Sequence, residues 1–166
     1  MSIVLIGGGS RSGKSSHALA LARRYGPRRG FLATAQASDD EMQQRIVRHQ
    51  QERGSDFVTF EEPLDLARII LAQQNLLDVL VIDCLTLWLS NAILSGQEPC
   101  FDQIIELAAE SPMPCVLVTN EVGCGIVPEN ALSRRFRDLA GTLNQKAAAR
   151  ASEVYWMIFG VPLRVK

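Results

Sequence analysis

Runs of apolar residues alternate along the chain with segments that have the spacing of amphipathic helices. Six apolar runs predict strands, at residues 2–7, 30–35, 57–60, 78–84, 115–120 and 154–160. They are rich in β-branched residues and continuous rather than alternating, which is typical of strands covered on both faces. Helices are predicted between them, at 14–25, 39–53, 63–75, 85–95, 101–110 and 131–151. This order predicts an α/β fold with a mostly parallel sheet flanked by helices, and the final GVPLRVK predicts a short edge strand.

Length and composition narrow the class of protein. A chain of 166 residues fits one domain, 1–166, with one core. The net charge of −1 provides no general basic field for nucleic acid. Two aspartates interrupt the longest apolar run, so we expect no membrane span, and the start MSIVLIGGGS lacks the basic region of a signal peptide. The four cysteines form no CxxC pair, and we expect reduced thiols in a cytoplasmic protein.

The stretch GGSRSGKS fits the phosphate-binding pattern G-x-x-x-x-G-K-[ST] between a predicted strand and a predicted helix. Its residues are Gly8, Gly9, Ser10, Arg11, Ser12, Gly13, Lys14 and Ser15. The glycines let the backbone turn so that N–H groups point at phosphate oxygens, and the helix N-terminus adds positive potential. We expect Lys14 to reach the β- and γ-phosphates of ATP or GTP and Ser15 to ligate Mg²⁺. The alternative is a glycine-rich turn without a ligand.

Asp83 ends the apolar run VLVID. An acid at the tip of a buried strand next to a phosphate-binding loop can hold the metal ion. The alternative is an ordinary aspartate that caps the following helix.

His49 lies in the segment DDEMQQRIVRHQQER, on a helical stripe with Met42, Ile46 and Arg53. Taken alone, this spacing is more often that of a partly buried histidine beside a solvated basic face. The functional interpretation is that arginines bind phosphates while neutral imidazole attacks phosphorus. Cationic neighbours would depress the imidazole pKa and keep it neutral. The other histidine, His17, is assigned no role.

Several longer segments carry a more specific resemblance. They are GGSRSGKSSHA (8–18), FLATAQASDDEMQQRIVRHQQER (31–53), FEEPLDL (60–66), VIDCLTLWLSN (81–91), VTNEVGCGIVPENALSRRFRDLAGTLNQKAA (118–148) and the final GVPLRVK. On these residues the chain resembles the bifunctional adenosylcobinamide kinase / adenosylcobinamide-phosphate guanylyltransferase family of cobalamin biosynthesis. The resemblance implies a P-loop NTPase-type, RecA-like fold.

Two reactions follow from the resemblance. The first transfers the γ-phosphoryl group of ATP or GTP to the terminal hydroxyl of adenosylcobinamide. In the second, a histidine attacks the α-phosphate of GTP, and the bound GMP passes to adenosylcobinamide phosphate, giving adenosylcobinamide-GDP. The family histidine falls on His49. One rigid pose can hardly present both phosphorus atoms, so we expect movement of 39–53 or two GTP registers.

The resemblance also implies further nucleotide contacts beyond the phosphate-binding loop. These are Thr34, Ala35, Gln36, Gln50, Gln51, Glu52, Arg53, Glu61 and Asp83. Asn120 and Glu121 are expected near the phosphates or the corrinoid, with Glu121 a candidate base. For the glycine-rich loop that they open, a purely structural turn is the alternative.

Ser10, Cys124 and the short segment 96–103 depart from the family pattern, and neither residue removes chemistry. The resemblance implies a homo-oligomer, with a trimer as the expected form. Two other classes remain alternatives: a monofunctional P-loop small-molecule kinase in which His49 is structural, and a nucleotide-gated binding module. Labelling by α-labelled GTP separates the first of these from the bifunctional enzyme, and turnover of a corrinoid excludes the second.

Overall fold

The computed structural model describes residues 2–36, 50 and 54–166. The strands are β1 (Ile3–Gly8), β2 (Arg29–Ala33), β3 (Phe57–Glu61), β4 (Val79–Asp83), β5 (Cys115–Val118), β6 (Glu153–Ile158) and β7 (Val161–Arg164). The helices are α1 (Lys14–Ala22), α2 (Leu66–Gln73), α3 (Leu85–Leu94), α4 (Phe101–Glu110) and α5 (Ala131–Arg150), with a 3₁₀ turn at Gly54–Asp56. The predicted helix 39–53 lies outside the described residues except for Gln50.

The seven strands form one sheet in the order β3-β2-β4-β5-β1-β6-β7. Every pair is parallel except β6 and β7, which form an antiparallel hairpin. The predicted mostly parallel sheet is therefore confirmed, and so is the short final strand. The connection from β1 runs to β2 on one side of it, whereas the connection from its neighbour β5 runs to β6 on the other side. Open α/β sheets bind ligands where the connections of adjacent strands diverge in this way.

Two apolar layers cover the sheet. On one face, residues of α2, α3, α4 and α5 pack against β1, β4 and β5, with Leu32, Ile82 and Leu117 among the fully buried side chains. On the other face α1 packs its alanine and leucine side chains against the same central strands. Burial on both faces explains why the strand sequences are continuous rather than alternating. None of the described helices is long and apolar enough to cross a bilayer.

The predicted elements end slightly differently in the structure. Helix α2 begins at Leu66 rather than 63, because Asp65 caps it by accepting from the Arg68 N–H at 3.0 Å. Strand β6 ends at Ile158 because the next two residues form the hairpin turn with positive φ. Strand β5 stops at Val118, although the Thr119 N–H still donates to the Ile6 carbonyl at 3.0 Å.

Candidate active site

The carboxyl ends of the parallel strands place five predicted functional segments along one edge of the sheet. Ala33 of β2 is paired with Glu61 of β3 on one side and with Asp83 of β4 on the other. Asp83 is in turn paired with Val118, and Val118 with Ile6, two residues before the phosphate-binding loop. The sheet therefore lines up Glu61, the 34–36 segment, Asp83, the 119–121 segment and the loop itself.

The phosphate-binding loop takes its shape from two glycines with positive φ. At Gly8, with φ 149°, a Cβ atom would lie 2.8 Å from the Met157 carbonyl oxygen and 2.9 Å from Ser12 Oγ. At Gly13, with φ 91°, a Cβ atom would lie 3.3 Å from the Gly160 Cα. Gly9 has open space around it. Gly8 and Gly13 thus allow the close approach of strand β6 and its turn, and only glycine tolerates both requirements.

Lys14 begins α1, directly after the N-cap Gly13, and is buried to 7% exposure. Its ammonium donates to the Gly9 carbonyl oxygen and lies 3.4 Å from Ser12 Oγ. The charge is therefore held over the loop, where backbone N–H groups and the N-terminus of α1 point. Gly9, Ser10 and Arg11 are exposed, and Ser15 is half-buried.

Asp83 has a carboxylate oxygen that is free to ligate a metal ion. Its Oδ2 atom is buried and has no hydrogen-bond partner among the described residues. The capping alternative is wrong, because the N-cap of α3 is Cys84, whose sulfur accepts from the Leu87 N–H at 3.5 Å. An unpaired carboxylate oxygen and the Ser15 hydroxyl are hard oxygen donors, and Mg²⁺ takes few protein ligands beside water and phosphate oxygens. These two residues fit the ion.

Cys84 lies between Asp83 and helix α3, and its thiol is not suited to act as a nucleophile. Burial, followed by the negative charge of Asp83, raises the pKa of the Cys84 thiol to about 12. The thiol is therefore protonated at neutral pH and behaves as a small apolar side chain.

Thr34 has a fully buried side chain that ties the ends of β2 and β4 together. Its hydroxyl donates to the Cys84 carbonyl at 2.8 Å and accepts from the Cys84 N–H at 2.9 Å. From α3, the Asn91 amide donates to the carbonyls of Thr34 at 2.8 Å and Pro63 at 3.1 Å. Asn91 was not among the predicted residues. Only its place in the quoted segment VIDCLTLWLSN could have pointed to it.

Among the described residues, the other predicted nucleotide contacts beyond the phosphate-binding loop are accessible. Ala35 is half-buried, and Gln36, Gln50 and Glu61 are exposed. His49, Gln51, Glu52 and Arg53 lie outside the described residues, and so does the segment 37–48. Contacts of all these residues with a nucleotide stay predictions.

On the other side of Asp83, a buried polar network holds the end of β5. The Thr119 hydroxyl donates to the Asn144 side-chain oxygen of α5 at 2.6 Å and lies 3.3 Å from the Thr86 hydroxyl. Thr86 accepts from the Asn120 N–H at 2.7 Å, and the Asn144 amide donates to the Asn120 carbonyl at 3.3 Å. The network places Asn120 at the site, and sequence reasoning missed the three side chains that do so.

Glu121 follows directly and is joined to the phosphate-binding loop. Its N–H donates to the Gly8 carbonyl at 3.1 Å, and its carboxylate accepts from the Gly123 N–H at 2.5 Å. The loop beyond it exposes Ile126 (96%) and Val127 (60%), with Leu132 (52%) at the start of α5. The segment that starts at Glu121 on the β5 side therefore exposes several apolar side chains.

A second contact, also missed from the sequence, braces the loop from the β6 side. The Gly160 N–H at the tip of the β6–β7 hairpin donates to the Ser12 carbonyl at 3.2 Å. The signal was present as a glycine between two apolar runs, which is typical of a hairpin turn. The sequence around Gly160 contains no indication that this turn contacts Ser12.

Comparison with known proteins shows the family to which this chain is similar. A family described as cobinamide kinase / cobinamide phosphate guanyltransferase matches residues 4–165. The chain is 42% identical to the bifunctional adenosylcobalamin biosynthesis protein CobP of Pseudomonas aeruginosa, over 98% of this chain and 96% of that protein. It is 38% identical to the bifunctional adenosylcobalamin biosynthesis protein CobU of Salmonella typhimurium, over 99% of each.

Among solved structures, an ATPase domain superposes with a TM-score of 0.52 at 12% identity, covering 93% of this chain and 68% of that one. A prototypical ATPase from the type III secretion system of pathogenic bacteria superposes with a TM-score of 0.50, also at 12% identity, over 98% of this chain and 56% of that one. A likeness at this identity bears on the fold alone. It confirms the predicted P-loop NTPase-type, RecA-like architecture.

Proposed function

Because the chain belongs to the cobinamide kinase / cobinamide phosphate guanyltransferase family, we propose that one phosphate-binding loop serves two successive transfers. The protein is a bifunctional transferase of adenosylcobalamin biosynthesis, with a kinase activity and a guanylyltransferase activity. The single observation that carries the residue assignment is the buried Lys14, whose ammonium lies over the glycine loop at the strand edge shared with Asp83.

In the kinase reaction, backbone N–H groups of residues 9–15 and the Lys14 ammonium bind the β- and γ-phosphates of ATP or GTP. Mg²⁺, when bound by Ser15 and Asp83, offsets phosphate charge. The terminal hydroxyl of adenosylcobinamide attacks the γ-phosphorus, the bond to the β-phosphate oxygen breaks, and the nucleoside diphosphate leaves. Glu121 accepts the hydroxyl proton, because the loop that it opens borders the γ-phosphate end of the site.

The exposed apolar side chains beside the phosphate-binding loop suit the acceptor. Ile126 and Val127 belong to the loop that begins at Glu121, which is bonded to Gly8, and Leu132 lies in the first turn of the helix that follows it. A corrinoid presents a large, partly apolar ring system, and burying such exposed side chains against it is favourable. This surface therefore receives adenosylcobinamide and its phosphate.

In the guanylyl transfer, a ring nitrogen of His49 attacks the α-phosphorus of GTP and pyrophosphate leaves. The phosphate of adenosylcobinamide phosphate then attacks the same phosphorus, the P–N bond breaks, and adenosylcobinamide-GDP forms. Ala35, Gln36, Gln50, Gln51, Glu52, Arg53 and Glu61 contact this GTP, while Thr34 is fully buried and holds the start of the 34–36 segment in place instead of touching the nucleotide. Strand spacing puts Glu61 four strands, roughly 19 Å, from β1, so GTP lies with its base toward β3 in this step.

We also propose a cellular compartment and an assembly state for the enzyme. It works in the cytoplasm, where ATP and GTP are supplied, and it assembles as a homo-oligomer, with a trimer as the expected form. A monofunctional kinase is not favoured, because the relatives that match over nearly the whole chain are named as bifunctional proteins.

The test is labelling of the protein by α-³²P-GTP with Mg²⁺. We expect acid-labile, alkali-stable label that maps to His49 and disappears in His49→Asn, while ATP-dependent phosphorylation of adenosylcobinamide survives. The chain has one other histidine, so His17→Asn is the matched control and should label normally. Label that persists in His49→Asn would remove the histidine from the mechanism.

A further inference from the structure

The tip of the β6–β7 hairpin presents an aromatic side chain that the two transfers leave unexplained. Phe159 is 97% exposed. It forms a two-residue turn with Gly160, between the paired residues Ile158 and Val161. Both turn residues have positive φ, 51° at Phe159 and 82° at Gly160.

Hairpin turns with two positive φ angles favour asparagine, aspartate or glycine at the first position. A bulky residue in that conformation is uncommon. Within the described ranges, the non-glycine residues with positive φ are Arg11 and Phe159. Turn formation therefore does not explain why phenylalanine occupies this position, and an almost fully exposed ring gains nothing from burial in the protein. Strained residues of this kind are often found where a ligand is bound.

The turn lies against the phosphate-binding loop. The Gly160 N–H donates to the Ser12 carbonyl at 3.2 Å, and a Cβ atom at Gly13 would approach the Gly160 Cα to 3.3 Å. The backbone of Phe159 is therefore one residue from a direct contact with the loop. Since the β6–β7 turn is at the carboxyl end of β6, it lies on the same edge of the sheet as Asp83.

The strand order sets the direction in which a phosphate donor would lie. Asp83 and Glu121 are on the β4–β5 side of β1, and the hairpin is on the β6–β7 side. If the γ-phosphate faces the metal ligand and the acceptor, the nucleoside must leave the loop on the opposite side. That side is one to two strand spacings, roughly 5–10 Å, from β1 and carries Phe159.

We propose that Phe159 is the stacking platform for the purine of the nucleotide that donates its γ-phosphoryl group. The assignment rests on the proposed kinase reaction at the phosphate-binding loop. Stacking on an aromatic ring depends little on which base is bound, so such a platform accepts adenine and guanine alike. The guanylyl-donor GTP has its base on the β3 side, so the loop serves two nucleotide orientations with bases on opposite sides.

The test compares variants that keep the turn but change the ring. Phe159→Asn favours the same backbone conformation without an aromatic group, and Phe159→Tyr retains the ring. Leu94→Asn, at an exposed position at the end of α3, is the matched control for loss of a surface apolar side chain. Titration calorimetry with Mg²⁺ measures the Kd of ATP and of inorganic tripolyphosphate, which has the phosphates but no base.

We expect Phe159→Asn to weaken ATP about tenfold and tripolyphosphate less than twofold. The KM for ATP in the kinase reaction should rise in parallel, while labelling by α-³²P-GTP stays within twofold. Phe159→Tyr and Leu94→Asn should resemble the parent protein. Thermal unfolding should show that Phe159→Asn is at least as stable as the parent, because the strained conformation suits asparagine.

Three results would overturn the platform. Unchanged ATP affinity in Phe159→Asn would mean that the ring does not contact the base. Equal weakening of ATP and tripolyphosphate would mean that the turn only braces the loop, and an altered sedimentation coefficient would assign the ring to a contact between copies. If the parent protein binds neither ATP nor tripolyphosphate, it is the proposed function of the loop that fails.

Discussion

The two ends of the site are held in place by different kinds of contact. At the phosphate-binding loop, backbone groups supply the contacts: Gly8 with Glu121, and Ser12 with Gly160. At the β2 end, side chains supply them: the buried Thr34 is bonded to Cys84, and the half-buried Asn91 is bonded to the carbonyl of Thr34. A backbone contact survives most substitutions, whereas a side-chain contact is lost with one. The contacts of the phosphate-binding loop itself should therefore be robust, whereas the β2–β3 end, like the β5 end that Asn144 supports, should be sensitive to single substitutions.

The difference matches the two proposed reactions. Both need phosphates on the loop, but only the guanylyl transfer needs the β2–β3 end, where Glu61 and residues 34–36 lie. A change at the shared loop should therefore reduce both activities together. A change at the β2 end should separate them.

The largest expected effect comes from Lys14→Ala. Removal of a buried ammonium directed at developing phosphate charge should lower kcat/KM about 10²–10³-fold in both reactions. Steady-state assays of the kinase and guanylyl half-reactions measure it. Lys146→Ala is the control, since that lysine is paired with Asp102 on the surface. Guanylyl transfer at the parent rate in Lys14→Ala would mean that the two reactions do not share the loop.

Asp83→Asn should come next, with a loss of about tenfold to a hundredfold that higher Mg²⁺ partly restores. The buried Oδ2 has no protein partner in the described part of the chain, so the metal-free variant should unfold at the same temperature or a higher one. Activity measured against Mg²⁺ concentration, together with thermal unfolding in chelator, gives both readouts. Asp138→Asn, at an exposed position, is the control. An unchanged Mg²⁺ dependence would contradict the metal role.

Local sequence patterns were enough to predict the strands and the phosphate-binding loop. The apolar runs gave the strands to within about two residues, because burial on both faces forces a continuous apolar sequence. The phosphate-binding loop was identifiable because all its phosphate-binding groups belong to eight consecutive residues. Asn91, Thr119 and Asn144 were not identified, since each acts on a partner more than 20 residues away. Long-range polar contacts leave no periodicity to detect.

Asn91 and Asn144 support opposite ends of the site with similar amide hydrogen bonds. Asn91→Ala leaves two carbonyls without their amide donor, and we expect it to cost about 2 kcal/mol of unfolding free energy. It should raise the KM for GTP in guanylyl transfer several-fold and leave the KM for ATP in the kinase reaction within twofold. Asn144→Ala should cost a similar free energy without that selectivity, because it supports the β5 end. Denaturant unfolding and the two assays measure these effects. Equal effects of Asn91→Ala on both KM values would contradict the division of the site into two halves.

The smallest effect concerns His17, which lies on α1 behind the phosphate-binding loop. Its ring packs edge-on against that of Tyr155, with 5.1 Å between the ring centroids. Its Nε2 is buried without a hydrogen-bond partner among the residues described. Burial, and then the charge of Arg24, lowers the pKa of His17. The Tyr155 hydroxyl donates to the Glu153 carboxylate at 2.6 Å.

A histidine with a lowered folded-state pKa takes up its proton first in the unfolded chain. Its contribution to stability is therefore fully present above pH 6.5 and is lost as the pH falls toward the folded-state value. His17→Phe keeps the ring contact without titrating, so its Tm should fall less between pH 7.5 and pH 5.0 than that of the parent. His49→Asn is the control and should retain the parent slope if the effect belongs to His17. A parallel fall in the parent and His17→Phe would exclude His17 as the source of acid sensitivity at the phosphate end.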